Sequence, residues 1–430
     1  MSAKKQHHEK SIRARIPGVG GRAANVALTL AATLVLAVFA TPSALAQTFR
    51  VTYRFRCPPD AEFPIGLVRD GVGDFYGNSG GGGNADSGTL FKLDHDLNFE
   101  RVLYNFQGGN DLGSDSAIVR DAQGNFYGSS REGGGQGCHG FGCGTVFRIS
   151  HASKRTLLHA FQDGQDGSDP VGGVIRDAAG NLYGTTQNGG DLTCGQGGRG
   201  CGTVFKITKA GKKTELHRFN GTDGDAPLAP VIRDAAGNLY GTTASGGGSG
   251  AGTVFKLASD GTETVLHSFK VDADGWGPLT GLVQDAAGNL YGTTSSGGNF
   301  NCLSPFGCGT VFQLSSAGTF TTLHIFDGSP SDGAIPSPLV LDTSGNVYGT
   351  TQVGGKFSAS NCSSPPSGCG TVFKLDPSGK ETILHNFTGL KDGQTPTASV
   401  IVDKRGNLFG IAPFSVDGKC NAGTVFKITP

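Results

Sequence analysis

The chain has 430 residues, with 35 Lys+Arg balanced by 35 Asp+Glu and with 73 glycines. That charge balance gives no basic face for nucleic acid. Glycine lies far above its average share of about 7%, but it recurs at fixed places beside Val, Ile, Leu, Phe, Tyr and Thr, which excludes low-complexity disorder.

Residues 1–46 read as a secretory signal. A basic leader (Lys4, Lys5, Lys10, Arg13, Arg15, Arg22) precedes the apolar run NVALTLAATLVLAVFA, and Ala44-Leu45-Ala46 stands before Gln47. The run, about 16 residues, is shorter than the roughly 20 that span a bilayer. Cleavage is therefore expected, with retention as an anchor the alternative that the long leader leaves open. Removing the segment leaves 29 basic against 34 acidic residues, and no later stretch is apolar enough to cross a membrane. The mature chain is expected to be exported, extracellular or periplasmic, and a monomer with no nucleic-acid partner.

From residue 47 onward three phrases return seven times each. DAAGNLYGTT begins at Asp177, Asp234 and Asp285, with looser copies at Asp70, Asp121, Asp342 and Asp403. GTVFK-type phrases place Phe at 91, 147, 205, 255, 312, 373 and 426; LHxF-type phrases place it at 106, 161, 219, 269, 326 and 387, with TYRF ending at Phe55 as the seventh. Each period of about 50 to 60 residues holds four short alternating runs of strand-forming residues. In DAAGN, Asp ends one strand, Gly takes positive φ in a three-residue hairpin turn with a bulge, and Asn opens the next.

Four antiparallel strands repeated seven times predict an all-β, seven-bladed β-propeller over 47–430. The chain opens on an LHxF-type strand (QTFRVTYRF) and stops just after a GTVFK-type strand. The N-terminal strand is thus expected to complete the last blade as its outer strand, which closes the ring without exposed edges. The GNLYGTT and GTVFKL phrases resemble the secreted GloVer tandem-repeat proteins, described as having a choice of C-terminal anchor. The resemblance runs over 47–430 and implies a propeller-like fold and export, without an activity. It departs from the anchored pattern, since Pro430 closely follows the last strand.

The turns after the first and third strands of a blade are short and uniform, whereas the loops on the opposite face are long and variable, the usual home of binding residues. Cysteine pairs stand only in the longer loops that join the second and third strands: Cys138/Cys143, Cys194/Cys201, Cys302/Cys308 and Cys362/Cys369. Four local disulfides are predicted, with zinc the weaker reading and His139 the place to check for it. Cys57 and Cys420 flank the strands that close the ring and are expected to form a fifth bond.

Five histidines, His159, His217, His267, His324 and His385, recur one per blade near the rim and read as structural, too far apart to share one ion. Tyr127, Tyr183, Tyr240, Tyr291 and Tyr348 read as blade packing. Seven aspartates, Asp60, Asp111, Asp166, Asp223, Asp274, Asp332 and Asp392, lie on the long-loop face, and six have Pro four residues later. Turn formation is their first reading and ligand contact the second; no cofactor is expected, with calcium at 163–169 the weak exception. Residues that break the repeat are the better ligand candidates: Trp276 beside Asp274, and Phe141, Phe300, Phe306 and Phe357 in the long loops.

With only six Glu after residue 46 and no GxSxG, HExxH or phosphate loop, an enzyme lacks its usual marks. The expected function is a binding or scaffold module for a polar ligand, a glycan or a protein partner. The alternative is a polysaccharide-acting glycoside hydrolase or lyase that uses loop aspartates.

Overall fold

Each repeat folds as one antiparallel sheet, and the repeat at 174–218 shows why. Its strands Val174–Arg176, Leu182–Thr186, Thr203–Ile207 and Lys213–Arg218 pair in chain order. Between the first two, Asp177 accepts the Gly180 N–H through its carbonyl, and Gly180 sits at φ 90°. The Asp177 side chain takes the Asn181 N–H at 2.8 Å, the Asn181 amide at 2.8 Å and the Tyr183 hydroxyl at 3.0 Å. One carboxylate thus organises the turn, which accounts for the joint recurrence of Asp, Asn and Tyr. Each such bond is worth about 1 kcal/mol net.

The computed structural model describes residues 47–56, 60–97, 100–135, 137–271, 274–356, 362, 368–415 and 422–430. The expected signal segment, the Cys57 to Cys420 bond and Phe357 lie outside the described residues. Seven sheets form a seven-bladed β-propeller: blades 1 to 6 span 61–105, 119–160, 174–218, 232–268, 283–325 and 333–386, and blade 7 joins 401–429 to Thr48–Arg54. No helix among the described residues is long and apolar enough to cross a membrane. Blade 6 departs from the expected four strands, because Gly333–Pro336 and Val340–Leu341 both pair with Val347–Gly354.

Closure follows the expected phase. Thr48 to Arg54 runs antiparallel to Thr424–Thr429, with Thr48 opposite Thr429 and Arg54 opposite Thr424, and the Phe55 N–H donates to the Gly423 carbonyl at 3.0 Å.

The two Phe ladders are the hydrophobic seams between blades. Each LHxF-type Phe meets the GTVF-type Phe of the next blade edge-on: Phe106 with Phe147 at 5.6 Å, Phe161 with Phe205 at 5.3 Å, and so round to Phe387 with Phe426 at 5.4 Å and Phe55 with Phe91 at 5.0 Å. Such pairs contribute about 0.5–1.5 kcal/mol beyond area burial. The glycine of LYGTT makes room for them: a Cβ on Gly184 would lie 2.7 Å from Phe205 Cζ. The paired hydroxyls are buried too, Thr186 Oγ1 lying 2.8 Å from Thr203 Oγ1 inside blade 3 while Thr185 donates to the Ala229 carbonyl in the segment that leads into blade 4.

Candidate functional site

Chain order puts the loops after the second and fourth strands of every blade on one face of the disc. Local disulfides clip four of the first set: Cys138–Cys143, Cys194–Cys201, Cys302–Cys308 and Cys362–Cys369, with Cα separations of 5.1 to 5.6 Å. Their sulfurs are paired with each other, so they are not free as zinc thiolates.

The aspartates of the fourth-strand loops are held by their own blades. His159, His217, His267, His324 and His385 approach Asp166, Asp223, Asp274, Asp332 and Asp392 at 3.0, 3.1, 3.3, 3.3 and 3.1 Å. Tyr104 and Tyr53 take the same place against Asp111 and Asp60, at 2.8 and 3.3 Å. Most of these carboxylates also accept a backbone N–H of the turn, as Asp166 does from Gln162 at 2.9 Å and Asp392 from Thr388 at 3.0 Å. The histidine and aspartate ladders are therefore one structural device.

Among the proposed aromatics, Trp276 and Phe306 come together, with ring centroids 6.3 Å apart and the Trp276 indole N–H donating to the Phe306 carbonyl at 3.3 Å. Trp276 is half-buried against the core between blades 4 and 5, while Phe306 is 56% exposed. Phe306 lines a cavity of about 660 Å³ together with Ser295, Ser296, Asn301, Leu303 and Ile335, and Trp276 reaches it through its contact with Phe306. Phe300 lies in the same loop at 38% exposure, and Asp274 precedes Trp276 but is turned to His267. Phe141, 69% exposed, stands in the blade 2 loop, so it belongs to a different part of the face.

Sequence reasoning missed a third feature. The residues just before six loop prolines, Phe63, Asp169, Ala226, Gly277, Ile335 and Thr395, all adopt the left-handed conformation, with φ of 52°, 57°, 55°, 64°, 56° and 54°. Only one is glycine, and for β-branched Ile335 and Thr395 the conformation costs about 1–3 kcal/mol. Five of the six donate their N–H across a blade junction: Asp169 to Cys143, Ala226 to Cys201, Gly277 to Ala251, Ile335 to Cys308 and Thr395 to Cys369, at 2.8 to 3.1 Å. At four of these junctions the disulfide-clipped loop of one blade thereby fixes the entry strand of the next, and at the fifth the unclipped blade 4 loop does so. The signal available beforehand was the fixed offset from Asp to Pro.

These entry strands surround an axial cavity of about 440 Å³ whose lining includes Ile65, Ala117, Val171, Leu228, Leu279 and Thr397. Asp115 also lines it, and its exposed carboxyl sits among protein on several sides. Desolvation holds that carboxyl above the ordinary range, against the Arg131 N–H bond and charge, and nearby Glu132 and Asp169 push the same way.

The repeat that builds this face is matched by the model of the Gloeobacter/Verrucomicrobia repeat, over residues 37–196, 141–363 and 305–430. The chain belongs to the Gloeobacter/Verrucomicrobia repeat family. No curated protein matches it by sequence. Among solved structures, it is similar to the extracellular domain of a one component system from B. thetaiotaomicron, at TM-score 0.53 and 11% identity over 88% of this chain and 40% of that one. It is also similar to the extracellular domain of a hybrid two component system from the same organism, at TM-score 0.52 and 14% identity over 89% of this chain and 41% of that one. This member of the repeat family thus spans about two fifths of those neighbours, and at such identity the likeness is one of fold.

Proposed function

We propose that the chain is an exported binding or scaffold module that takes a polar ligand, a glycan or a cell-surface partner, on its long-loop face. The observation that carries this reading is the cleft lined by Phe306, whose ring packs against Trp276. It joins exposed ring area to the hydroxyls of Ser295 and Ser296 and the amide of Asn301, a pairing suited to a sugar ring with apolar faces and a polar edge. Four disulfides and the fold shared with extracellular domains support an oxidising compartment outside the cytoplasm. The aspartates that a hydrolase would need are engaged by histidines and turn N–H groups, which favours binding over turnover.

A glycan-array screen of the mature protein tests the reading, followed by reducing-sugar release on any hit. Binding that falls at least tenfold in Trp276→Ala and Phe306→Ala, with the thermal midpoint kept, supports the cleft. Binding lost instead through substitutions in the DAAGN turns of well-folded protein would place the ligand on the opposite face and overturn it.

A further inference from the structure

In blades 2 to 7 a residue at the start of the fourth strand lies against the His–Asp or Tyr–Asp pair of the preceding blade, and its chemistry changes around the ring. At the junction of blades 1 and 2 it is a cation, Arg155 Nε lying 3.0 Å from Asp111. Between blades 2 and 3 it is again a cation, Lys213 Nζ lying 2.7 Å from the Asp166 carboxylate. Elsewhere it is an aromatic ring: Phe320 stacks on His267 at 3.8 Å and Phe49 on His385 at 3.4 Å. At two junctions it is a carboxylate. Glu263 of blade 4 faces His217 and Asp223, and Glu381 of blade 6 faces His324 and Asp332.

A carboxylate is the wrong sign for this position. Where Lys213 or Arg155 stands, the aspartate charge is balanced from across the seam; with Glu263 or Glu381, a second negative charge is brought to an aspartate that is half-buried (Asp223) or buried (Asp332). Glu263 Oε1 and Glu381 Oε1 are both buried atoms without a hydrogen-bond partner, which is costly unless a cation supplies the missing interaction.

The donor geometry says which cation. In each triad one imidazole nitrogen and two carboxylate oxygens lie within 4.8 Å of one another. In the second, His324 Nε2 is 3.3 Å from Asp332 and 3.9 Å from Glu381. Tetrahedral ligands held at about 2.0–2.1 Å from zinc are about 3.3 Å apart, so a small movement of the glutamate completes three sides of such a site and leaves the fourth for water. One nitrogen with two oxygens suits a first-row divalent ion better than calcium, which takes six to eight oxygens.

We propose that His217, Asp223 and Glu263, and separately His324, Asp332 and Glu381, bind zinc-class divalent cations that bridge blade 3 to blade 4 and blade 5 to blade 6. These are structural ties near the rim, independent of any ligand on the long-loop face.

Equilibrium dialysis against Zn²⁺, on mature protein stripped with chelator and with disulfides intact, tests this directly. The wild type is expected to take up two ions per chain and to gain thermal midpoint on loading. Glu381→Lys and Glu263→Lys, each copying the Lys213 junction, are expected to fold and to bind one ion each. Lys213→Glu places the carboxylate against His159 and Asp166 and is expected to raise the count to three. Glu381→Gln, nearly isosteric, keeps the test decisive if a lysine variant fails to fold. No zinc uptake by the wild type, or a count unchanged in the folded glutamate variants and in Lys213→Glu, overturns the proposal.

Discussion

Phe49 lies flat on His385, with ring centroids 3.4 Å apart and planes 4° from parallel. Phe49 pairs with Ile428 inside blade 7, whereas His385 belongs to the outer strand of blade 6. The N-terminal strand therefore binds two blades at once, one by backbone and one by ring.

Phe49→Ala removes that ring and its contacts with Phe387 and Phe426. Because the side chain is half-buried, the expected loss is about 2 kcal/mol, below the range for a fully buried Phe. Urea unfolding should show the loss, and Phe49→Leu should recover part of it. An unchanged midpoint would mean that the strand is held by its backbone alone.

Acid should loosen the junction between blades 2 and 3. Burial works against the Asp166 carboxylate, but the bonds from His159 and Lys213 and the Lys213 charge outweigh it and hold the group below the ordinary range. A folded pKa lower than the unfolded value, about 3.9, means that the contribution is complete above that value and is lost as pH falls through the folded one. The thermal midpoint of Asp166→Asn should therefore trail the wild type at pH 6, and the gap should narrow below about pH 4. A gap that widens on acidification contradicts this sign.

Two glycines should behave in opposite ways. Gly184→Ala drives a Cβ to 2.7 Å from Phe205 Cζ in the core of blade 3, and about 2–3 kcal/mol of destabilisation is expected from overpacking. Gly71→Ala meets nothing within 4 Å and needs no left-handed backbone, so its effect should stay within about 0.5 kcal/mol. Thermal unfolding of the two variants side by side makes the comparison.

Cys57 and Cys420 flank the closing strands in sequence, two and three residues from Phe55 and Gly423, whose N–H and carbonyl are hydrogen-bonded at 3.0 Å. Peptide mapping without reductant should recover the two as one linked pair. A bond closing so long a loop is worth about 4 to 5 kcal/mol under the chain-entropy model, so Cys57→Ser should lower the midpoint more than Cys138→Ser does. Alkylation of both thiols in the native protein would rule the link out.

Blade number, strand order, closure and the local disulfides were legible because each is written within one repeat. The alternation around Phe205, the offset from Asp177 to Asn181 and the placement of Cys194 and Cys201 all act over a few residues of chain. The Glu381 triad was not legible, because its members come from two repeats and meet only when blade 6 is set against blade 5. His324 and Asp332 read as separate ladders until their 3.3 Å contact joined them. The left-handed residues escaped for a different reason: Ile335 and Thr395 are poor formers of that conformation, and the tie that their N–H groups make to Cys308 and Cys369 of a neighbouring blade is not written within one repeat. Trp276 and Phe306 were each singled out by rarity and exposure, but their meeting depended on how a disulfide-clipped loop folds back.

The pairing of Thr48–Arg54 with Thr424–Thr429 also sets a timetable. A strand that is made first must wait for its partner until nearly the whole chain has followed. Loop-closure cost grows only slowly with length, so the wait is chiefly a problem of exposure. Until then Thr48–Arg54 has no strand beside it, and its open backbone is a template for pairing with another chain. A chain that stops before its last blade would thus leave a ring with a gap beside Thr48–Arg54, and the natural filler of that gap is the 401–429 segment of a second molecule.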